Sequence, residues 1–241
     1  MIFDVLTLFP EMYDVFDHSI IGRAREKDLL EINTVNIRDF STNKHKKVDD
    51  YPYGGGAGMV MQAEPVYGAA THVTELRGSK PYTLFMSPRG KRFDQEMAKE
   101  LVERNNIMFI CGHYEGIDER IMPLVDMEVS LGDFVMTGGE LASMAIIDTI
   151  ARLIPGVLST SASFEEESFY DGLLEYPQYS RPEEFRGMRV PEVLLSGHHK
   201  NIMDWRRYKS LMITKERRPD MYEKIVLTKE EKNIIKKYGE L

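Results

Sequence analysis

The chain has 241 residues, 42% hydrophobic and 29% charged, which is enough apolar material for one large or two modest domains. Its net charge of −8 argues against an indiscriminate nucleic-acid binder while allowing a local basic patch, and no apolar run reaches the ~18 residues of a membrane span. A single cysteine excludes an internal disulfide and a cysteine-rich zinc site; the N-terminus lacks a basic region and cleavage site, so a reducing cytoplasm is expected.

Ile2 to Phe9 is β-branched and aromatic and predicts a first strand, which Pro10 stops while opening a helical turn over Glu11 to Phe16. Ile20 to Leu30 predicts a helix with Ser19 as its cap, and Ile32 to Ile37 a second strand. Arg38 to Gly58 is a long polar segment ending in Tyr53-Gly54-Gly55-Gly56-Ala57-Gly58, too aromatic for a plain linker. Glu64 to Leu76 predicts a helix, Pro81 to Met86 a third strand, and Asp94 to Arg104 a capped helix. Asn106 to Cys111 and Met127 to Leu131 are the fourth and fifth strands, with a short helix over Asp118 to Val125 between them. Glu140 to Ile154 is strongly helical, with Leu141, Met144, Ala145, Ile147, Asp148 and Ala151 on its predicted apolar face. Strands alternating with helices imply an α/β fold with a mainly parallel sheet. Beyond Pro155-Gly156 the composition turns polar and acidic, then helical again over Pro191–Ser196, Asn201–Lys215, Pro219–Lys224 and Lys229–Tyr238. The expected domains are 1–158, a linker at 159–180, and a small helical domain at 181–241.

The candidate chemistry centres on residues 111–140. Two buried runs each break into glycine with polar neighbours, as strands do when their carboxyl ends open onto a pocket. No dinucleotide fingerprint, P-loop or G-x-S-x-G motif is present. The histidines have no chelating spacing, so no metal-ligand set is expected, and Cys111 reads as a core residue. Glu115, Asp118, Glu119, Asp133 and Glu140 suit metal binding, acid/base work or, for Asp118, helix capping. The segment His198 to Arg218 gathers Lys200, Arg206, Arg207, Lys209, Lys215, Arg217 and Arg218, interleaved with Trp205 and Tyr208. Such a patch suits a phosphate backbone, and Lys44, Lys46 and Lys47 add a second.

Several of these stretches together resemble the bacterial tRNA (guanine-N1)-methyltransferases, which methylate guanosine 37 beside the anticodon. The resemblance is carried by Leu8-Phe9-Pro10-Glu11-Met12, Arg38-Asp39-Phe40, Val48-Asp49-Asp50, Pro52-Tyr53-Gly54-Gly55-Gly56, Gly58-Met59, Ser87-Pro88, Cys111-Gly112, Tyr114 to Arg120, Gly132-Asp133, Thr137 to Leu141, Ile154 to Leu158 and Ser196 to His199. It implies a SPOUT-type α/β domain with a deep trefoil knot, a small all-helical C-terminal domain, an obligate homodimer and S-adenosylmethionine as methyl donor. The donor would be held by Ser87, Pro88, Gly112, Tyr114, Glu115, Ser130, Leu131, Gly132, Phe134, Met136, Thr137, Gly138 and Gly139. Contacts to tRNA would come from His45, Asp49, Ser196, His198, His199, Arg206, Arg207 and Lys209.

The resemblance also implies catalytic roles. Guanine N1 must lose a proton to attack, so a carboxylate as base and a cation at O6 are required. The family's cation precedes Ile-Pro-Gly-Val-Leu, which makes it Arg152 here. The family's base is an aspartate before Ser-Phe, where this chain has Glu167, with Glu165 and Glu166 as neighbouring candidates. Tyr51 and Ala57 also depart from the arginine and proline common in relatives. Magnesium would serve turnover. The alternatives are another SPOUT RNA methyltransferase, acting for example on ribose 2′-O, or a non-catalytic RNA-binding module.

Overall fold

The computed structural model describes residues 1–158 and 167–239; residues 159–166, which open the expected linker and include Glu165 and Glu166, lie outside the described residues. The chain divides into two compact units, Met1–Thr160 and Ser161–Leu241.

The strands of unit 1 are β1 (Ile2–Thr7), β2 (Glu31–Asn36), β3 (Asp49–Asp50), β4 (Val60–Met61), β5 (Tyr82–Arg92), β6 (Asn106–Cys111) and β7 (Met127–Ser130). Five of them form one parallel sheet in the order β2-β1-β6-β5-β7, while β3 and β4 pair antiparallel. The helices are α1 (Ser19–Glu26), α2 (Ala63–Arg77), α3 (Gln95–Val102) and α4 (Glu140–Ala151).

The apolar run of β6 is continuous because both of its faces are covered. Ile107, Phe109 and Cys111 join the core beneath α1, α3 and α4, while Met108 and Ile110 join the core beneath α2. Asp94 caps α3 as expected, its Oδ1 accepting from Met97 N at 2.9 Å. Asp4, in the middle of β1, is wholly buried and accepts from Arg77 Nε at 3.0 Å and Nη2 at 2.6 Å.

Four expectations are corrected. First, β5 continues past Met86 to Arg92, because Lys91 and Arg92 pair again with Val129 and Ser130 of β7. The Ser87-Pro88-Arg89-Gly90 stretch lies between the two pairings, so proline there forfeits no ladder bond. Gly90 returns against β7 so closely that a Cβ would sit 2.4 Å from Val129 N. Second, Ser19 is the first helical residue of α1 rather than its cap; His18 is the cap, because the 3-10 turn Pro10–Asp17 leaves one residue between the two helices. Third, α4 buries Ala142, Ser143, Ile146, Ile147, Ile150 and Ala151 and leaves Leu141 57% exposed. Apolar residues occur all round this helix, so periodicity alone does not select its inward face.

Fourth, unit 2 is not all helical. Its helices Glu192–Leu195, His199–Arg217, Pro219–Tyr222 and Lys229–Gly239 are accompanied by a hairpin of β8 (Glu184–Phe185) and β9 (Met188–Arg189), turning through Arg186 and Gly187 at positive φ. Residues 167–180, expected as linker, belong to this unit's packing. Leu173 is buried, and Leu174 N donates to Thr214 Oγ1 at 2.9 Å.

Candidate functional site

A cavity of about 430 Å³ opens at the carboxyl ends of β5, β6 and β7. Three loops enclose it: Ser87–Gly90 within β5, the residues after Cys111, and the residues after Ser130. Of the predicted donor-binding residues, Ser87, Pro88, Gly112, Tyr114, Glu115, Ser130, Leu131, Phe134, Met136, Thr137, Gly138 and Gly139 line it. Gly132 does not; it shapes the loop, donating its N–H to Ser130 Oγ at 3.2 Å and accepting from the same hydroxyl at 3.0 Å. Phe85, Met86, Arg89, His113, Val135 and Ala142 also line the cavity and escaped the sequence reading. Their signal was position: Phe85, Met86 and Arg89 flank Ser87-Pro88, His113 and Val135 lie within the two glycine-broken stretches, and Ala142 lies in the first turn of α4.

The loops are joined through backbone. Gly139 N donates to Gly112 O at 2.9 Å, and His113 bridges Gly138. A Cβ on Gly139 would lie 2.8 Å from Cys111 Cα, so only glycine permits this approach. On the other side, Glu115 N donates to Met59 O at 3.0 Å and Met61 N to Gly116 O at 2.9 Å. These bonds attach the loop after β6 to the end of the glycine-rich segment.

Beneath the cavity lies a buried polar network. Thr7 Oγ1 donates to Glu140 Oε1 at 2.7 Å, and Glu140 Oε2 lies 2.6 Å from His113 Nε2. Tyr13 Oη and Ser143 Oγ are 2.6 Å apart, with Cys111 Sγ 3.4 Å from both. Burial, and then the nearby Glu140 charge, push the Cys111 thiol up to about 12. The Tyr13 phenol is likewise driven upward, chiefly by burial. Both stay protonated and uncharged, which fits Cys111 as a core residue rather than a nucleophile.

The five candidate acids take different places. Asp118 is a cap: its Oδ1 accepts from Arg120 N at 2.9 Å, and the Arg120 guanidinium holds its carboxyl below the usual carboxylate range. Glu140 is buried in the network just described, and Asp133 is exposed. Glu115 and Glu119 border the cavity, where Glu119 meets Arg89 at 3.2 Å. Among the described residues no three His, Cys, Asp or Glu side chains are grouped to hold a metal ion.

Arg152 is the half-buried C-cap residue of α4. Glu167 stands in unit 2, where it borders a cavity of about 190 Å³ together with Asp171, Tyr176, Arg206 and Arg207. His45 is exposed, and Asp49 pairs with Met61 across β3 and β4. Ser196, His198 and His199 are exposed at the start of the His199–Arg217 helix. Arg206 lies 4.7 Å over the Tyr176 ring, and the Lys209 ammonium lies 5.7 Å from the rings of both Trp205 and Tyr208. Arg207 turns inward to Glu231 and Asp171. Among the described residues, no helix is long and apolar enough to cross a membrane.

Comparison with known proteins adds to this geometry. The family model described as tRNA (Guanine-1)-methyltransferase TrmD matches residues 1–224. A tRNA (guanine-N(1)-)-methyltransferase of Clostridium perfringens is 63% identical over 233 residues, which is 97% of this chain and 98% of that relative. One from Clostridium beijerinckii is 62% identical over 96% of each chain. Among solved structures, the tRNA (m1G37) methyltransferase from Aquifex aeolicus matches with a TM-score of 0.76 at 42% identity, covering 93% of this chain and 95% of that one.

Proposed function

The chain belongs to the tRNA (guanine-1)-methyltransferase family, and from that premise we propose that it transfers the methyl group of S-adenosylmethionine to N1 of guanosine 37 in tRNA. The observation that supports this most directly is the unit 1 cavity. Its volume suits a ligand of this size, and its three loops present mainly apolar side chains with a few hydroxyls and accessible backbone. Bound S-adenosylmethionine supplies a methyl group already activated by its sulfonium. Phe85, Leu131, Met136 and Ala142 fit its apolar parts, while Ser87, Ser130, Thr137 and Glu115 offer partners to its hydroxyl, amine and carboxylate groups.

The remaining chemistry falls to the chain's own groups. Glu167 takes the N1 proton, so that the ring nitrogen becomes nucleophilic as charge moves toward O6. Arg152 stabilises that charge with its permanent cation. Lys209, Arg206 and the exposed His198 and His199 face the tRNA, with His45 and Asp49 contributing from unit 1. The SPOUT-type trefoil knot is carried over from the family resemblance alone. The homodimer is carried over from the same resemblance. Magnesium serves turnover, and the enzyme works in the cytoplasm.

The deciding experiment is methyl transfer to a tRNA transcript carrying G36 and G37, followed by nucleoside mass analysis. N1-methylguanosine at position 37 is expected. A 2′-O-methyl product, or no product with an active donor, overturns the proposal.

A further inference from the structure

We infer that Glu140 is a positioning residue for the methyl donor, acting through His113; this rests on the reading of the unit 1 cavity as the donor site. Glu140 is 1% exposed and is not among the residues lining that cavity. Its two oxygens nevertheless join segments that are distant in sequence. Oε1 accepts from Thr7 Oγ1 at the end of β1, and Thr7 Oγ1 in turn accepts from Phe9 N at 3.0 Å. Oε2 meets His113 Nε2 in the loop after β6. As a carboxylate, Glu140 has acceptors only, so Nε2 carries the hydrogen and the imidazole is held in one tautomer and one rotation.

That rotation bears on the cavity wall. The His113 ring packs edge-on against Phe9 with centroids 5.0 Å apart. A Cβ on Gly138 would fall 2.3 Å from His113 Cε1, so the ring lies directly against the backbone of the opposite loop. Any other orientation of the ring would move the Gly112–Tyr114 and Thr137–Gly139 strips apart or together, and both strips line the cavity. Stability alone does not call for a carboxylate here, because burying one carries a desolvation cost that offsets much of what its hydrogen bonds contribute. The arrangement fixes the spacing of two donor-holding loops from below.

The test is calorimetric titration of the full chain with S-adenosylmethionine, alongside thermal unfolding. Wild-type protein should bind; absence of binding would overturn the donor-site reading itself. Glu140→Gln should raise Kd about tenfold, as expected for loss of a charge-assisted hydrogen bond. In a His113→Ala background the same substitution should change Kd by less than about twofold, because the pathway has already been cut. Unaltered Kd in Glu140→Gln, or effects that add in the double variant, would overturn the inference while leaving the donor site intact. Should Glu140→Gln fail to fold, Thr7→Val loosens the same carboxylate from its other side; a Kd equal to wild type there would also overturn it.

Discussion

Arg207 holds Glu231 Oε1 through two hydrogen bonds, Nε at 2.9 Å and Nη2 at 2.6 Å, and meets Asp171 with its remaining nitrogen. The residue that the charge pattern assigned to tRNA is thus also a tie between the His199–Arg217 helix, the Lys229–Gly239 helix and the segment after Glu167. Its side chain is 36% exposed, so the tie is partly screened. Arg207→Ala is expected to destabilise unit 2 by roughly 1–2 kcal/mol, read by chemical denaturation. Lys209→Ala should leave stability alone and instead weaken tRNA binding, reducing the salt-dependence slope by about one.

The same pair predicts a pH response. Burial pushes the Glu231 carboxyl upward, but the Thr228 N–H and hydroxyl and the Arg207 guanidinium together outweigh it and hold the group below its ordinary value. A depressed folded-state value stabilises the fold above the unfolded value, ~4.3 for glutamate, and that contribution disappears as pH falls through the folded value. Melting temperature should therefore drop on acidification below the ordinary carboxylate range. Glu231→Gln should melt lower at neutral pH and show a shallower drop. Superimposable pH profiles for the two proteins would refute this.

Asp4 and Arg77 make the opposite case, a pair whose carboxylate is wholly buried and whose guanidinium is mostly so. Removing Arg77 leaves a carboxylate with no exposure inside the core beneath α2. Arg77→Ala is expected to cost about 3–5 kcal/mol, measured as a shift in urea midpoint at constant slope. A loss below about 1 kcal/mol would mean that water or Asn33, 3.4 Å from Asp4, takes over the carboxylate.

Glu167→Gln keeps shape and removes the base. Single-turnover methyl transfer should fall by at least about 100-fold, with S-adenosylmethionine affinity unchanged. Arg152→Ala should behave alike, since its charge acts on the transition state rather than on donor binding. Equal rates in Glu167→Gln and wild type would move the base to a neighbouring acid.

What could be read from sequence divides along physical lines. The sheet strands were legible because burial on both faces leaves continuous apolar runs, as in Asn106–Cys111. The cavity loops were legible because those runs end abruptly in glycine. The second pairing of β5 was hidden, since Ser-Pro-Arg-Gly reads locally as a stop and only β7 shows where Lys91 and Arg92 return. The Thr7–Glu140 contact spans 133 residues and has no local signature. The inward turn of Arg207 was equally invisible: a cation on a helix looks the same whether its partner is phosphate or Glu231.

The seat of β1 between β2 and β6 has a consequence for synthesis. Ile2 pairs with both Glu31 and Asn106, so one edge of the first strand has no partner until Cys111 has been made. From Thr7 to Cys111 is 111 − 7 = 104 residues, which at about 5–20 residues per second takes a ribosome roughly 5–20 s. Until then Phe3, Val5 and Leu6, which end wholly buried, have at most β2 beside them, and that only once Asn36 has been made. A two-strand pair is too small to stand alone in water. Closure of the sheet around β1 therefore waits for Asn106–Cys111, the later-made of its two partner strands.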